Sequence, residues 1–556
     1  MVADTEDAPE INRWRWPPIP ETQATRSVSG NSDEWRRSPT NFQDASMSIA
    51  HRNIAPSLRI SLLAAAVLAL SACSTVVPTP LAAKEIQEVN RADQQAMRKD
   101  VEPVKGPLTL DEALARALKY NLDRRAKQME EALALNQLDV TRYDMLPRLM
   151  GQMNWASRNN DSISVSLDPT TGLVSDQGFI SQDRSHHLAD LGLTWNLLDF
   201  GMGYYGSRQQ AHRVLIASER RRKAMHLLMQ DVRTAYWRAA SAQKLRKSVQ
   251  DTIALGEEAL ADARKVEEER VRNPVEALRY QRQLLENLRL LEAINQELLS
   301  AQVDMASLIN APLGTPITIA DDEVSTGSSL VTQLPIERLE EVALRNNPDL
   351  LEQHYNAKVA REETRKTITR MFPNVSFSYG IKYDSDSYLI NRNWNEAGLQ
   401  LSFNFMNLLT GPTQIKLAEA GVALADQRRM ATQMAVLTQL HLARLQVINA
   451  RSQFERAEQV YATDVRLSEL MRNRAAVQAS SKLERVSNDT SAILSLLRRY
   501  QALAQVQTAE SRLLAQLGVE PKIGSSGDLS LKALTTQIKS QNNPWASIKS
   551  NIEAKK

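Results

Sequence analysis

The chain has 556 residues, of which 42% are hydrophobic, so it can bury a large core or several cores. Its 68 basic residues nearly balance its 65 acidic residues and are interleaved with them, and only 5% of residues are aromatic. This composition argues against a basic arm or an aromatic stacking platform for nucleic acid. The single cysteine, Cys73, excludes an intramolecular disulfide framework and a multi-cysteine metal site.

Residues 47–72 have the features of an export signal. Arg52 and Arg59 precede an apolar run over residues 60–70 that is too short to span a bilayer. The run ends in Leu70-Ser71-Ala72-Cys73, which resembles the bacterial lipobox, in which the cysteine is acylated (with palmitate, for example) and becomes the first mature residue. The alternative is a buried free thiol beside a degenerate signal.

Residues 1–46 precede this signal, although an export signal belongs at the N-terminus. They are polar and proline-containing, which predicts a disordered extension. We therefore expect translation to begin at Met47. Residues 73–107 would then form an N-terminal lipidated linker.

Two copies of one plan follow along the chain. A shift of 226 positions takes residues 117–121 onto 343–347 and Pro147 onto Pro373, and a shift of 208 takes Glu276 onto Glu484. The chain is therefore a tandem duplication. Its predicted parts are listed here in order: repeat 1 over 108–310, a linker over 311–333, repeat 2 over 334–518 and a polar C-terminal tail over 519–556.

Each repeat contains a long helical tract. Residues 422–517 contain no proline or glycine, and residues 207–310 contain only Gly256 and Pro274. At about 1.5 Å per residue, residues 207–272 would form a helix of roughly 100 Å. An apolar seam at steps of three and four predicts packing along a second helix: Leu284, Leu288, Leu291, Ile294 and Leu298. We expect coiled-coil helical hairpins over 205–310 and 412–518.

Before each helical tract the apolar period changes to two, which predicts β-hairpins at about 147–198 and 373–406. The strands have the length of tilted membrane-crossing strands. The predicted lipid-facing residues are Met153, Trp155, Leu193, Trp195, Phe377, Tyr379, Leu401 and Phe403. Thr194, Asn196, Gln400, Ser402 and Asn404 would face water, and Trp155, Trp195 and Trp394 would suit an interfacial belt.

A soluble sheet with one buried face would show the same alternation. Export favours the membrane, however, and open strand edges are not tolerated in lipid. Four strands cannot close a barrel. Several chains must therefore share one barrel, and three chains would supply twelve strands.

Together these motifs resemble the TolC-like outer-membrane efflux proteins, and their lipidated subgroup matches best. The resemblance covers roughly residues 73–520 and rests on the following motifs in order: the lipobox, Leu108-Thr-Leu-Asp-Glu-Ala-Leu-Ala-Arg-Ala-Leu118, Asn121, Leu146-Pro147 and Gly192-Leu-Thr-Trp-Asn-Leu-Leu-Asp-Phe-Gly201.

The resemblance implies an α+β membrane protein. Three tandem-repeat protomers would form a 12-stranded β-barrel in the outer membrane of a Gram-negative bacterium, continued by a periplasmic α-helical tunnel. The homotrimer would be a passive exit duct, docked through a periplasmic adaptor (membrane fusion) protein to an inner-membrane transporter. It would bind outer-membrane lipid, use no cofactor and catalyse no reaction.

The resemblance also implies a constriction at the periplasmic tip, ringed by acids. Glu276 and Glu484 would contribute six carboxylates per trimer, with Arg272, Arg279 and Arg485 linking neighbouring helices. The tip turns are predicted at Asn273, Pro274, Ser480 and Ser481, where each sequence also fits a capping box that starts a new helix. Helix capping alone is the alternative role for both glutamates. Relatives often have glycine in this turn, and neither turn here has one.

Two motifs are poor evidence for catalysis or metal binding. Asp199-Phe200-Gly201 spells a kinase motif without its companions, and we place it at a strand-to-helix turn equivalent to Thr410-Gly411-Pro412. His186-His187 lies in a polar stretch without a ligand at metal spacing, which favours an exposed loop.

Two other functions fit the sequence. One is a type I duct that passes a secreted protein instead of small molecules. The other is a lipid-anchored periplasmic coiled-coil scaffold without a pore.

Overall fold

The computed structural model describes residues 80–167, 169–174, 177–269, 274–320, 334–476, 482–520 and 529–540. The predicted signal and Cys73 lie outside these ranges. So do three residues of the predicted tip turns, Asn273, Ser480 and Ser481, and Arg272 of the predicted constriction.

Repeat 1 begins with short helices, continues into strands and ends in a pair of long helices. A helix, α1 (Ala83–Arg98), precedes repeat 1 within the segment predicted as a linker. The elements of repeat 1 are α2 (Leu110–Tyr120), α3 (Leu122–Tyr143), β1 (Arg148–Ser157), β2 (Ile163–Ser164), β3 (Phe179–Ile180), β4 (Ser185–Asn196), α4 (Leu197–Glu268) and α5 (Pro274–Leu308).

Repeat 2 follows the same order. Its elements are α6 (Ile336–Asn346), α7 (Pro348–Thr369), β5 (Asn374–Asp384), β6 (Asn393–Ser402), α8 (Met406–Ala476) and α9 (Lys482–Leu517), and α10 (Leu531–Ser540) follows them. The predicted protomer of long paired helices with four main strands is confirmed.

One asparagine performs the same two tasks in each repeat. Asn121 Oδ1 accepts a hydrogen bond from the Arg124 amide, and Asn347 Oδ1 accepts one from the Leu350 amide, so each caps a helix. The amide Nδ2 of Asn121 donates to the Leu308 carbonyl at 3.2 Å, and that of Asn347 donates to the Gln516 carbonyl at 3.0 Å. Each capped helix is thereby tied to the end of its returning long helix.

The main apolar core lies where the short helices α2, α6 and α10 meet the long helices. Leu114 and Leu118 of α2 are buried there with Leu339 of α6. Leu534 of α10 joins the same cluster. The segment interpreted as a polar tail therefore contains a packed helix, because three apolar residues at steps of three and four line one side of it: Leu531, Leu534 and Ile538.

The predicted seam of α5 is buried along its whole length. Leu284 and Leu288 pack with Val486 of α9 and with α4 residues near the tip of the hairpin. Leu291 and Leu298 form a second cluster with Leu245 of α4, farther along. The 72-residue α4 and 35-residue α5 thus pack side by side, as the period of the seam predicts.

Both long helices begin earlier than predicted. α4 starts at Leu197 and α8 at Met406, so Asp199 lies in a first helical turn and Pro412 lies inside α8. An asparagine lies just before each helix: Asn196 Nδ2 donates to the Asp199 side chain, and Asn404 Oδ1 accepts from the Met406 amide. The helix α8 therefore begins before Pro412 and continues through it.

None of the described helices is sufficiently long and apolar to cross a membrane.

Candidate functional site: the strand faces and the helix turns

The four long strands form one antiparallel sheet in the order β1-β4-β5-β6. The two repeats join at β4 and β5, where Leu193 pairs with Tyr379 and Trp195 pairs with Phe377. In the sheet as described, β1 and β6 are the edge strands.

The register collects the apolar residues of both repeats on one face. Directly paired residues in a sheet lie on the same face, and faces alternate along each strand. The residues on this apolar face are Leu149, Met153, Trp155, Leu191, Leu193, Trp195, Val375, Phe377, Tyr379, Ile381, Leu399 and Leu401. All predicted lipid-facing residues except Phe403 belong to it, and Phe403 lies one residue beyond β6.

Aromatic residues lie at both ends of this face. Trp155 is near the end of β1, where its indole Nε1 donates to Ser185 Oγ at 2.9 Å. Trp195 is near the opposite end of the sheet, with its ring 6.3 Å from that of Phe377. This spacing fits two aromatic belts.

Trp394 lies on the other face of the sheet, which corrects its predicted place in the same belt. It pairs with Lys382, an even-numbered residue, so its indole is turned away from the apolar face. Its Nε1 lies 3.5 Å from Glu396 Oε2.

This second face is polar and carries charges. Lys382 Nζ pairs with Glu396 Oε2 at 2.6 Å, and Asp190 lies beside them over Gly380. A Cβ at Gly380 would lie 3.0 Å from Asp190 Oδ1, so a larger residue there would require that carboxylate to shift. Thr194, Gln400 and Ser402, predicted to face water, share this face.

At the far end of the long helices, α5 begins at Pro274 and α9 at Lys482, so the prediction that two new helices begin at the turns is confirmed. Glu276 and Glu484 are each the third residue of their helix, and both are exposed. A carboxylate in a first helical turn is favoured by the helix dipole, which is the capping role.

The two tips contact each other. The Leu483 amide of α9 donates to Tyr280 Oη of α5 at 3.1 Å, and Tyr280 lies one turn after Glu276. Glu276 and Glu484 are therefore brought to the same end of the helical bundle.

Arg279 and Arg485 are exposed at this end. Arg485 Nε lies 3.9 Å from Asp489 Oδ2 on its own helix, and Asp489 accepts a 2.7 Å hydrogen bond from Ser468 of α8. The arginine thus reaches the neighbouring helix through Asp489.

Residues 113–311 match the family model described as outer membrane efflux protein. The structure of a membrane protein from Pseudomonas aeruginosa has a TM-score of 0.55 and 16% identity, covering 76% of this chain and 92% of that chain. The CmeC outer membrane channel of Campylobacter jejuni has a TM-score of 0.55 and 13% identity, covering 78% and 89%. The open state of the MtrE outer membrane channel of Neisseria gonorrhoeae has a TM-score of 0.52 and 16% identity, covering 74% of this chain and 91% of that chain. No curated protein sequence matches the chain.

Residues 113–311 are thus similar to the outer membrane efflux protein family, and the chain has the fold of these outer membrane channels.

Sequence reasoning missed one ion-pair cluster at the tip. Lys482 Nζ donates to Glu258 Oε1 at 2.8 Å and also to Asp262, both on α4. The hydrogen bond to Asp262, and after it the one to Glu258, raises the pKa of Lys482 above its usual value. Lys482 directly follows Ser481 in the predicted capping box, but its partners lie more than 200 positions away, and no local pattern reveals them.

The structure also shows the surroundings of Asp199-Phe200-Gly201 and His186-His187, the two motifs that were considered for catalysis and metal binding. Asp199 pairs with Arg148 at 3.3 Å, where β1 begins and α4 starts, so it is a structural residue of the strand-to-helix junction. His186 is in β4, not in a loop, and its Nδ1 lies 3.0 Å from Asp384 Oδ1. Among the described residues no group of side chains is suited to hold a metal ion.

Proposed function

We propose that this chain is the outer-membrane exit duct of a tripartite efflux system. Three copies would conduct substrates passively from an inner-membrane pump and a periplasmic adaptor to the exterior. The observation that carries the proposal is the four-stranded sheet, with one continuous apolar face, one polar face and two unpaired edges.

Strand edges that enter lipid must find partners, since no water can satisfy their amide and carbonyl groups. β1 of one copy and β6 of the next are antiparallel candidates for that pairing, and three copies close a ring of twelve strands. The apolar face then meets lipid, and the polar face with Asp190, Lys382 and Glu396 lines the lumen.

A lipid anchor at Cys73 would hold the chain at the inner surface of the same membrane. The lipobox-like ending supports it. Metabolic labelling with a clickable palmitate should label the wild-type chain and not Cys73→Ser.

The deciding experiment is conductance in a planar bilayer with purified protein. A TolC-like duct predicts discrete channels from a preparation whose native mass is three chains. A trimer without conductance would instead support the scaffold. Capture of the inner-membrane partner would separate a small-molecule efflux duct from a protein-secretion duct.

The tip glutamates provide a finer test. We propose that Glu276 and Glu484 form a six-carboxylate ring that attracts cations at the narrowest opening. The double variant Glu276→Gln, Glu484→Gln should lower the cation-to-anion permeability ratio towards unity while the trimer stays assembled.

Glu292→Gln is the matched control, because it removes an exposed carboxylate from the same helix α5 away from the tip. It should leave the permeability ratio unchanged. An unchanged ratio in the tip variant as well would reduce both glutamates to helix caps.

A further inference from the structure

The two repeats differ most in the connection at the end of the sheet away from the long helices. Repeat 2 joins β5 to β6 through residues 385–392, whereas repeat 1 joins β1 to β4 through residues 158–184. The longer connection contains a small hairpin, in which Ile163 pairs with Ile180 and Ser164 with Phe179.

The small hairpin has an apolar face of its own. In its first arm Ile163, Val165 and Leu167 alternate with serines, and Leu167 bridges to Val174 on the second arm. The exposed fractions of Ile163, Val165, Leu167, Val174 and Ile180 range from 40% to 65%. A β-hairpin in water does not keep such a face uncovered without a partner.

The position of the hairpin argues against lipid as the cover. β1 alone has 10 residues, which already matches the roughly 9 to 11 residues that cross the hydrocarbon layer. A polar stretch then follows, in which Arg184 pairs with Asp161 through a 2.6 Å hydrogen bond from Nη2. The apolar face lies beyond this polar band and so in water.

The base of the hairpin is fixed to the chain's own repeat 2. Ser387 Oγ donates to Asp183 Oδ1 at 2.8 Å, and the Asp183 amide donates to Asp386 Oδ1 at 3.1 Å. These bonds use the polar side of the 385–392 turn.

The same turn presents apolar side chains that its own hairpin leaves uncovered. Tyr388, Leu389 and Ile390 follow one another there, and Ile390 is 99% exposed. If β1 of one copy pairs with β6 of the next, the end of β1 at Ser157 lies beside the neighbour's Asn393, where β6 begins. The hairpin of one copy would then stand next to the 385–392 turn of its neighbour.

We propose that the apolar face of the β2–β3 hairpin packs on residues 388–390 of a neighbouring copy, forming a second contact between protomers at the outer mouth. The proposal rests on the trimer of the proposed function and adds a contact outside the membrane. Both surfaces of this contact are apolar. Within each copy, the polar bonds of Asp161 and Asp183 hold the hairpin in position.

Disulfide trapping in the full-length chain tests this contact. In the double variant Val165→Cys, Ile390→Cys, mild oxidation should give covalent dimers and trimers on a non-reducing gel. The matched control Ser164→Cys, Ile390→Cys places the thiol on the opposite face of the same strand and should give several-fold less of these products. Each single variant controls for reaction with Cys73.

Native mass spectrometry of the same samples separates the possible outcomes. A trimer with interchain disulfides supports the contact. A trimer that gives only an intrachain disulfide, no disulfide, or equal yields from both double variants overturns it and leaves the duct untouched. A monomer overturns the contact and the proposed function together.

Discussion

The two longest helices, α4 and α8, occupy equivalent places in the two repeats but have different surroundings. α4 packs against α2, α3, α5, α7 and α9 of its own chain, whereas α8 packs against α6, α7 and α9. Leu440 and Val447 mark the buried side of α8, and its other side exposes Leu442, Leu445 and Ile448. One chain therefore surrounds its first long helix and leaves its second at an edge.

Equivalent positions show the consequence in single residues. Arg222 of α4 corresponds to Met430 of α8, and His226 corresponds to Met434, both at the shift of 208. His226 is 7% exposed and the Arg222 side chain 19% exposed, while the two methionines are 46% and 66% exposed. At these positions the duplicated plan has polar residues where its own chain covers the helix, and apolar residues where a neighbouring copy would cover it in the proposed trimer.

The largest expected effect follows from the uncovered side of α8. The double variant Leu442→Glu, Leu445→Glu should convert the trimer into folded monomers, because two carboxylates per copy would be buried at the seam between protomers. Native mass and the far-ultraviolet circular dichroism spectrum report assembly and helix content separately. The control Leu442→Met, Leu445→Met keeps an apolar surface and should remain trimeric. Trimers in both variants would mean that this side of α8 faces water.

A second variant, Arg222→Met, gives α4 the residue that α8 has at the equivalent position 430. Arg222 pairs with Glu219 and Glu520, and its Nη2 donates to the Gly518 carbonyl at 3.2 Å and the Asn346 carbonyl at 3.3 Å. Arg222→Met leaves the buried Glu219 and the half-buried Glu520 without their cation, which should cost about 3 kcal/mol of unfolding free energy, the lower end for a buried pair.

The control for this variant is Arg220→Met on the same helix. Arg220 makes an exposed pair with Glu352, so its loss should cost no more than about 1 kcal/mol. Urea unfolding measures both variants. Equal losses would show that the Arg222 cluster contributes no more than a surface ion pair.

The smallest expected effect is on acid stability. Burial lowers the pKa of His226 to about 4, although Glu520 opposes this shift. An unfolded histidine titrates near 6.5, so the folded state disfavours the proton that the unfolded state accepts. The contribution of His226 is therefore complete above about pH 6.5 and is lost as the pH falls towards 4.

Between pH 7 and 5 this loss should be on the order of 2 kcal/mol. His226→Gln should flatten the dependence of the unfolding free energy over that window, since glutamine takes up no proton. His441→Gln is the control, because His441 is exposed and pairs with Glu340 at 2.7 Å. A pH dependence identical to that of the wild type in His226→Gln would assign acid sensitivity to other groups.

The periodicity of apolar residues in the sequence determined many of the helices and strands of this protein. The α5 seam, the two strand pairs and the helix starts at Pro274 and near Ser481 follow from local rules, because burial on one side of a helix or sheet imposes a period of 3.6 or 2 on the chain. The duplication was visible for the same reason, because both repeats pack the same order of helices and strands with the same spacing of residues.

Tertiary structure decided what depends on partners far apart in sequence. Only the β5–β6 register turned Trp394 away from the apolar face. Only the fold placed Lys482 against Glu258 and Asp262, or covered most of Arg222 while exposing Met430. Hydrogen bonds and ion pairs of this kind act between segments that a chain brings together only on folding. Residue type and local spacing therefore name the candidates for such bonds, but the packing of whole helices selects which of them form.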